Sequence, residues 1–170
     1  MKRHLLLTAV PGAGKTTVIR RVAAELDVET VNGFYTAEMR RGSVRRGFRL
    51  VPFHGEPVVI AHVEFPKAQR VGKYGVDVAA IDAAVDTALA TRRGTKLYLI
   101  DEIGKMECLS ERFIARTREL FAGTVPVVAT VAKRGGGFIA EVKRHDDCEL
   151  WTLTRANRDA LPFEIINRTH

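Results

Sequence analysis

A glycine-rich loop between an apolar strand and an amphipathic helix is the feature that most restricts the fold of this chain. The segment AVPGAGKTT, residues 9–17, overlaps the end of the short apolar run HLLLTAV, residues 4–10, which predicts a buried strand. It leads into TTVIRRVAAEL, residues 16–26, whose apolar side chains recur at helical spacing. The order strand, loop, helix is typical of the start of a parallel α/β sheet.

This loop predicts a phosphate-binding site. Its backbone N–H groups converge on one point, and the N-terminus of the following helix adds partial positive charge there. The pattern G-x-x-x-x-G-K-[ST] is met at its end, whereas Ala9 stands where glycine is usual. We expect Lys15 to reach the β- and γ-phosphates, Thr16 to coordinate Mg²⁺ and Thr17 to lie near the α-phosphate. The predicted nucleotide-binding residues of the loop are Ala9, Val10, Pro11, Gly12, Ala13, Gly14, Lys15, Thr16 and Thr17.

An acidic pair at the end of a second apolar strand predicts the catalytic half of the site. The run KLYLID, residues 96–101, ends in Asp101, where P-loop enzymes hold the carboxylate that supports Mg²⁺. Glu102 follows directly, and we expect it to orient and deprotonate water. The long segment between Thr16 and Asp101 favours the division of P-loop proteins with an additional central strand and a catalytic glutamate.

The remaining elements predict one α/β domain over residues 1–170. Two β-like runs, residues 33–41 and 45–53, predict a hairpin, and residues 57–65 predict a third strand. Together they form an antiparallel insertion over residues 38–65 in a mainly parallel sheet. The other predicted elements are a loop over 69–77, helices over 78–93, 110–123 and 137–145, strands over 125–132 and 148–154, and a broken terminal helix over 155–168.

Composition restricts the class of protein and its compartment. With 46% hydrophobic and 28% charged residues, the chain is typical of soluble globular proteins. Its apolar runs are far shorter than the roughly 20 residues of a membrane helix, so we expect no membrane association. Cys108 and Cys148 are the only cysteines and have no metal-ligand spacing, which fits a reducing compartment. We expect a cytoplasmic monomer.

The basic charge leaves two kinds of partner open. A net charge of +7 suits a nucleoside triphosphate and also suits nucleic acid. The densest basic segment is EMRRGSVRRGFR, residues 38–49, with five arginines and one glutamate. This arginine-rich hairpin is either a solvated edge whose charges prevent strand-to-strand association or a contact for RNA or DNA. Its single aromatic residue, Phe48, does not support a platform for stacking bases.

The sequence resembles the family of nucleoside-triphosphatases first described in thermophiles and represented in vertebrates by the cancer-related nucleoside-triphosphatase. The resemblance covers nearly the whole chain and rests on VPGAGKTT, GFYTAEMR, RVGKYGVDV, DEIGKMECLS and LTRANRDALP. It implies a three-layer P-loop NTPase fold that slowly hydrolyses ATP, GTP and other triphosphates to diphosphate and phosphate, with Mg²⁺. It also implies metal support at Asp101, water activation at Glu102, and a contribution of Glu107 to organising the same water.

Further basic and polar residues are candidates for substrate contacts. Hydrolysis benefits from a cation on the transition-state charge, which Lys73 could supply, with Arg40, Arg134 and Arg158 as alternatives. Each of these residues is otherwise a solvated surface cation. Asn157 and Arg158 follow the last strand, where a nucleobase often lies. They are either a base-edge reader and a stacking partner or an N-capping and surface pair.

Three functional hypotheses follow. The favoured one is a Mg²⁺-dependent nucleoside-triphosphate phosphohydrolase in which Glu102 prepares the attacking water. The second is a small kinase that phosphorylates a nucleoside, a nucleotide or a polynucleotide end. The third is a nucleic-acid-binding module that uses the nucleotide as a switch, for which salt-sensitive binding is the test. Free phosphate without an acceptor distinguishes the hydrolase from the kinase.

Overall fold

The computed structural model describes residues 1–169, and strands and helices alternate along most of the chain. Within these residues the strands are β1 (His4–Thr8), β2 (Val31–Arg41), β3 (Val44–Pro52), β4 (Val58–His62), β5 (Arg70–Val71), β6 (Tyr74–Val76), β7 (Leu97–Ile103), β8 (Val127–Val131) and β9 (Cys148–Thr152). The α-helices are α1 (Lys15–Glu25), α2 (Val78–Ala88), α3 (Glu111–Ala122), α4 (Gly137–Lys143) and α5 (Leu161–Thr169). Single 3₁₀ turns cover Val28–Thr30 and Glu107–Leu109.

All of these strands form one sheet with a parallel half and an antiparallel half. Their spatial order is β5-β6-β4-β3-β2-β7-β8-β1-β9. The strands from β2 to β9 in this order pair in parallel, and those from β2 to β5 pair antiparallel. The predicted α/β fold with parallel and antiparallel strands is confirmed. Strand β8 separates β1 from β7, as expected for an additional central strand.

Strand β2 belongs to both halves of the sheet. Its first residues, 31–34, pair in parallel with residues 97–100 of β7, and residues 34–41 pair with β3 in the hairpin. The strand therefore begins two residues before the predicted start at Gly33. After its last pair with β7, at Phe34, the strand continues along residues 35–38, which line a cleft together with the loop that follows β1.

The antiparallel half is larger than the hairpin extension that the sequence predicts. Residues 69–77, predicted as a loop, contain the two short strands β5 and β6. The glycine punctuation that suggested a loop instead supplies Gly72 in the turn, at a φ of +57°. Gly75 lies in β6 against the carbonyl oxygens of Phe65 and Pro66, where a Cβ atom would collide with them.

Two helices end or begin elsewhere than predicted. Helix α2 ends at Ala88 and not at residue 93, because side chains bind the next two carbonyls, which a longer helix would use for its own hydrogen bonds. The Leu89 carbonyl accepts from Arg116 and the Ala90 carbonyl from Asn32, each at 2.7 Å. Turns cover residues 155–160, so α5 begins only at Leu161. Pro162 therefore lies in the first helical turn, where its missing N–H costs no hydrogen bond.

The apolar side chains form two clusters on the two faces of the sheet. Along β1, Leu5 and Leu7 belong to one cluster and Leu6 to the other, as the alternation of a strand requires. Helices α1 and α5 pack into the first cluster, and α2, α3 and α4 pack into the second. None of the helices in residues 1–169 has the length and apolar character needed to cross a bilayer.

Candidate active site

The loop between β1 and α1 forms the floor of the site. Gly12 and Gly14 have φ values of +77° and +104°, which glycine adopts without strain. Gly14 caps the N-terminus of α1, so the helix begins at Lys15 and directs its free N–H groups into the loop. Ala9 is 3% exposed and does not have a positive φ. The alanine that replaces the usual glycine is therefore accommodated.

Asp101 lies at the centre of a hydrogen-bond network that joins four elements. Thr16 Oγ1 on α1 donates to its Oδ2 at 2.6 Å, and Thr130 Oγ1 on β8 donates to its Oδ1 at 2.7 Å. The backbone N–H of Thr36 on β2 approaches Oδ2 at 3.4 Å. Asp101 is 2% exposed, and this burial raises its pKa although the threonine hydrogen bonds act in the opposite direction. The network fixes the carboxylate beside the start of α1.

Lys15 and Glu102 form an ion pair across the site. Lys15 Nζ donates to Glu102 Oε2, and both side chains are partly accessible to solvent. Lys15 thus lies at the phosphate loop with its ammonium held by the predicted catalytic base. Bound phosphates would compete with the carboxylate for this ammonium, because they carry the same sign of charge.

Glu107 brings a second carboxyl group next to Glu102. It is 5% exposed, and burial, followed by the charge of Glu102, raises its pKa well above the usual range. A Cβ atom on Gly104 would lie 2.7 Å from Glu102 Oε1 and 3.2 Å from Glu107 Oε1. The missing side chain of Gly104 therefore leaves the space into which the two carboxyls converge.

The oxygen ligands beside the loop fit a divalent cation. The Thr16 hydroxyl and the Asp101 carboxylate lie together at the start of α1, and both are hard oxygen donors of the kind that Mg²⁺ prefers. Residues 1–169 contain no group of three or more His, Cys, Asp or Glu side chains that could hold a metal ion. A cation at this place would therefore take its other ligands from phosphate and water.

Two clefts adjoin the loop. One, of about 420 Å³, is lined by residues 12–17 together with Arg20, Tyr35, Thr36, Ala37 and Glu38. The Arg20 guanidinium lies 4.9 Å from the centroid of the Tyr35 ring. The other, of about 370 Å³, is lined by residues 8–13, Lys133 and residues 152–155.

The residues that sequence reasoning missed all come from outside the phosphate motif. They include Arg20, Thr36 and Thr130. Thr130 was detectable, because it is a polar residue in the otherwise apolar run VPVVATVA. Thr36 gave no signal, because its contact with Asp101 depends on the parallel pairing of β2 with β7.

The other candidate residues lie at different distances from the group formed by residues 15, 16, 101 and 102. Lys73 is exposed in the turn between β5 and β6, with its Nζ 5.5 Å from the Tyr74 ring centroid. Arg158 is close to the loop, since a Cβ on Gly14 would lie 4.0 Å from its Cδ. Asn157 uses its side chain in a turn, accepting from the Thr154 N–H at 2.8 Å and donating to the Thr152 carbonyl at 2.9 Å.

Acidic neighbours neutralise much of the arginine-rich hairpin. Arg40 and Arg45 both pair with Glu38, and Arg46 pairs with Glu64. Three of the five arginines therefore have carboxylate partners within the described residues. This arrangement favours a solvated, charged edge, and a nucleic-acid contact there stays a prediction.

Comparison with known proteins identifies the family. The family model described as NTPase matches residues 4–166. The chain belongs to the NTPase family. It is 35% identical over 164 residues to the nucleoside-triphosphatase THEP1 of Thermotoga maritima, covering 96% of this chain and 93% of that protein. It is 33% identical to the human cancer-related nucleoside-triphosphatase, covering 98% of this chain and 96% of the relative.

Solved structures support the same relationship. The crystal structure of THEP1 from the hyperthermophile Aquifex aeolicus matches with a TM-score of 0.80 and 32% identity, over 96% of this chain and 97% of that chain. The solution structure of a human cancer-related nucleoside triphosphatase also gives 0.80, with 31% identity, over 97% and 96% of the two chains. The resemblance inferred from the sequence motifs is therefore confirmed.

Proposed function

We propose that this protein is a Mg²⁺-dependent phosphohydrolase that converts ATP, GTP and other nucleoside triphosphates to the diphosphate and phosphate. The observation that supports this function best is the convergence of Lys15, Thr16, Asp101 and Glu102 at the N-terminus of α1. The names of the NTPase relatives support the same reaction. In this proposal residues 1–170 act as a single three-layer P-loop domain, monomeric and cytoplasmic.

The side chains have separable roles in the proposed reaction. The loop N–H groups bind the phosphates, and Lys15 exchanges Glu102 for the β- and γ-phosphates when a nucleotide enters. Thr16 and Asp101 would hold Mg²⁺, whose chemistry there is to neutralise charge on the phosphates. Thr130 keeps Asp101 in place through its hydrogen bond.

The release of Glu102 from Lys15 gives the protein its base. The freed carboxylate accepts a proton from water, whose oxygen forms a bond to the γ-phosphorus. The bond between that phosphorus and the βγ-bridging oxygen breaks, and the nucleoside diphosphate leaves. Glu107, buried beside Glu102, helps to position the same water.

Broad specificity and slow turnover fit the surroundings of the loop. The Asn157 amide is occupied in its own turn, so it offers little to distinguish one base edge from another. Arg158 beside Gly14 is better placed than the exposed Lys73 to approach a nucleotide. An additional cation on the transition-state charge raises the rate of P-loop hydrolases about 10³–10⁵-fold. In the described structure Lys15 is the cation that contacts Glu102. Turnover is therefore slow unless a further cation, such as Arg158, reaches the γ-phosphate.

Phosphate release from a panel of triphosphates with Mg²⁺, in the absence of any acceptor, tests this proposal. Glu102→Gln keeps the shape of the side chain and removes the base, so we expect release to fall about 10²–10⁴-fold while nucleotide binding persists. Glu119→Gln, an exposed acid on α3, is the matched control and should retain wild-type release. Wild-type release by the Glu102 variant would contradict the role of Glu102 as base.

A further inference from the structure

A further cavity lies beside Glu102. It has a volume of about 270 Å³, and most of its wall is apolar. Phe48, Ile60 and Val71 come from three strands of the antiparallel half, and Met106 closes it from the segment after β7. A water molecule occupies about 30 Å³ in the liquid, so the cavity has room for a small organic molecule. A site that only activates water does not need a mostly apolar cavity of this volume.

The polar end of the cavity contains a buried carboxyl group. Glu107 lines the cavity and is 5% exposed, and its carboxyl accepts a hydrogen bond from its own backbone N–H. A carboxyl group has two oxygens and takes part in several hydrogen bonds at once. A hydroxyl group on a ligand would supply a further partner.

The same end of the cavity adjoins the predicted reaction centre. Glu102 lines the cavity and also pairs with Lys15 of the phosphate loop. Thr36 is a common wall, since it lines both this cavity and the cleft around residues 12–17. A hydroxyl held between Glu102 and Glu107 would therefore lie where the proposed reaction needs its nucleophile.

We propose that this cavity binds a small alcohol with an apolar body and that the enzyme transfers the γ-phosphoryl group to its hydroxyl. The inference rests on the proposed function, because it uses the same nucleotide site and the same base. The alcohol oxygen forms a bond to the γ-phosphorus, and the bond from that phosphorus to the βγ-bridging oxygen breaks. Glu102 takes the hydroxyl proton, and the products are a phosphate monoester and a nucleoside diphosphate. Hydrolysis is the same displacement with water in place of the alcohol.

The apolar wall explains why an alcohol displaces water from this position. Each CH₂ group of a ligand that is buried against this wall adds transfer free energy, which water cannot gain. Burial favours the protonated form of Glu107, as its raised pKa indicates. In that form its carboxyl donates a hydrogen bond to the alcohol oxygen while the alcohol O–H donates to Glu102.

The first test measures transfer with ATP labelled in its γ-phosphate, Mg²⁺, and benzyl alcohol or isoamyl alcohol as probes. We expect a labelled phosphate monoester whose yield saturates with alcohol concentration. Val71→Trp fills the cavity from its edge hairpin, so we expect the ratio of ester to inorganic phosphate to fall about tenfold or more. Val44→Trp, at the hairpin tip where Val44 is 52% exposed, is the matched control and should keep the wild-type ratio.

The second test measures occupancy without relying on turnover. In methyl NMR of the nucleotide-bound protein, titration with the same alcohols should shift the Ile60 and Met106 signals saturably and leave Val44 unchanged. The signals of the Val71 variant also show that it is folded. Absence of both ester and saturable shifts overturns the proposal, and saturable shifts without ester overturn the transfer step. Either result leaves hydrolysis standing if the Glu102→Gln comparison holds, so failure here is distinct from failure of the proposed function.

Discussion

The parallel and antiparallel halves of the sheet meet at the candidate site, and they surround buried carboxyl groups differently. Among the parallel strands, Asp101 receives hydrogen bonds from Thr16 and Thr130 and is approached by the Thr36 N–H. At the cavity walled by the antiparallel strands, Glu107 is nearly as buried, but its carboxyl accepts from its own backbone N–H and not from a neighbouring element. Donors on three elements hold the Asp101 carboxylate in one position, whereas the Glu107 carboxyl keeps room for a hydrogen bond from a ligand. Under the two proposals above, the parallel half binds the nucleotide and the metal, and the antiparallel half accommodates the nucleophile.

Among the changes that compare the two halves, Asp101→Asn should have the largest effect, because it leaves one acceptor oxygen for three donors and removes the charge. We expect phosphate release to fall about 10²–10³-fold and the apparent affinity for Mg²⁺ to weaken about 10–100-fold. Phosphate release measured as a function of Mg²⁺ concentration checks both. Asp86→Asn, an exposed acid paired with Arg112, is the control. If phosphate release by the variant depends on Mg²⁺ concentration as in the wild type, the hydrogen-bonded Asp101 carboxylate does not support the metal.

Alanine substitution at two glycines with positive φ compares how much unfolding free energy each half of the sheet loses. Gly33 has a φ of +122°, and a Cβ there would lie 1.8 Å from the Leu99 carbonyl oxygen of β7. Gly42 at the hairpin tip has a φ of +63° and open space around it. We expect Gly33→Ala to lower the free energy of unfolding by about 3 kcal/mol or more, and Gly42→Ala by about 1 kcal/mol. Urea denaturation measures both, and equal losses would remove the distinction between a tightly packed and a permissive half.

Local sequence was enough to predict the parallel part of the site. The loop motif specifies consecutive residues, so Gly14, Lys15 and Thr16 could be assigned directly, and Asp101 follows from the end of an apolar strand. The contacts around Asp101 could not be predicted, because Thr36 reaches it only through the register of β2 against β7. Sequence periodicity does not encode which strands become neighbours.

The antiparallel half was harder to predict for a related physical reason. Strands β5 and β6 have two and three residues, too few for a period-two pattern to emerge. Their glycines, Gly72 and Gly75, are also typical of loops. The burial of Glu107 was equally hidden, because the cavity that it lines is bounded by side chains from the separate strands β2, β3, β4 and β5 and from the segment after β7. The sequence resemblance suggested a role for Glu107 but not its burial beside an apolar cavity.

Glu107→Gln tests whether the buried carboxyl costs stability in the nucleotide-free protein. Burial raises the pKa of Glu107, so the folded state binds a proton more tightly than the unfolded state. Its contribution is therefore lost as pH rises above about 4.3, the ordinary glutamate value. We expect the variant to be more stable than the wild type by about 1–3 kcal/mol at neutral pH, with the difference shrinking towards acid pH.

Chemical denaturation of the nucleotide-free protein at several pH values measures this difference. Glu119→Gln, on an exposed face of α3, is the control and should change stability little. If Glu107→Gln instead destabilises the protein at neutral pH, the carboxyl has a structural partner and the contrast with Asp101 is lost.

His4 provides the smallest test, at the end of β1 opposite the phosphate loop, and its pH dependence has the reverse sign. Its Nε2 donates to the Phe121 carbonyl at 2.9 Å and its Nδ1 accepts from the Val127 N–H at 3.1 Å. The second contact requires the neutral ring, because a protonated Nδ1 cannot accept. Burial lowers the pKa of His4, and the unfolded chain therefore binds more protons than the folded protein below about pH 6.5. We expect stability to fall with decreasing pH by up to about 1.4 kcal/mol per pH unit from this group, and His4→Gln to remove that slope. Denaturation curves between neutral and mildly acid pH measure it, with His62→Gln on β4 as the control from the antiparallel half. If the unfolding free energy of the His4 variant depends on pH as steeply as that of the wild type, His4 is not held in its neutral form by its neighbours. Hydrogen bonding that fixes a protonation state would then be limited, in the parallel half, to the surroundings of Asp101.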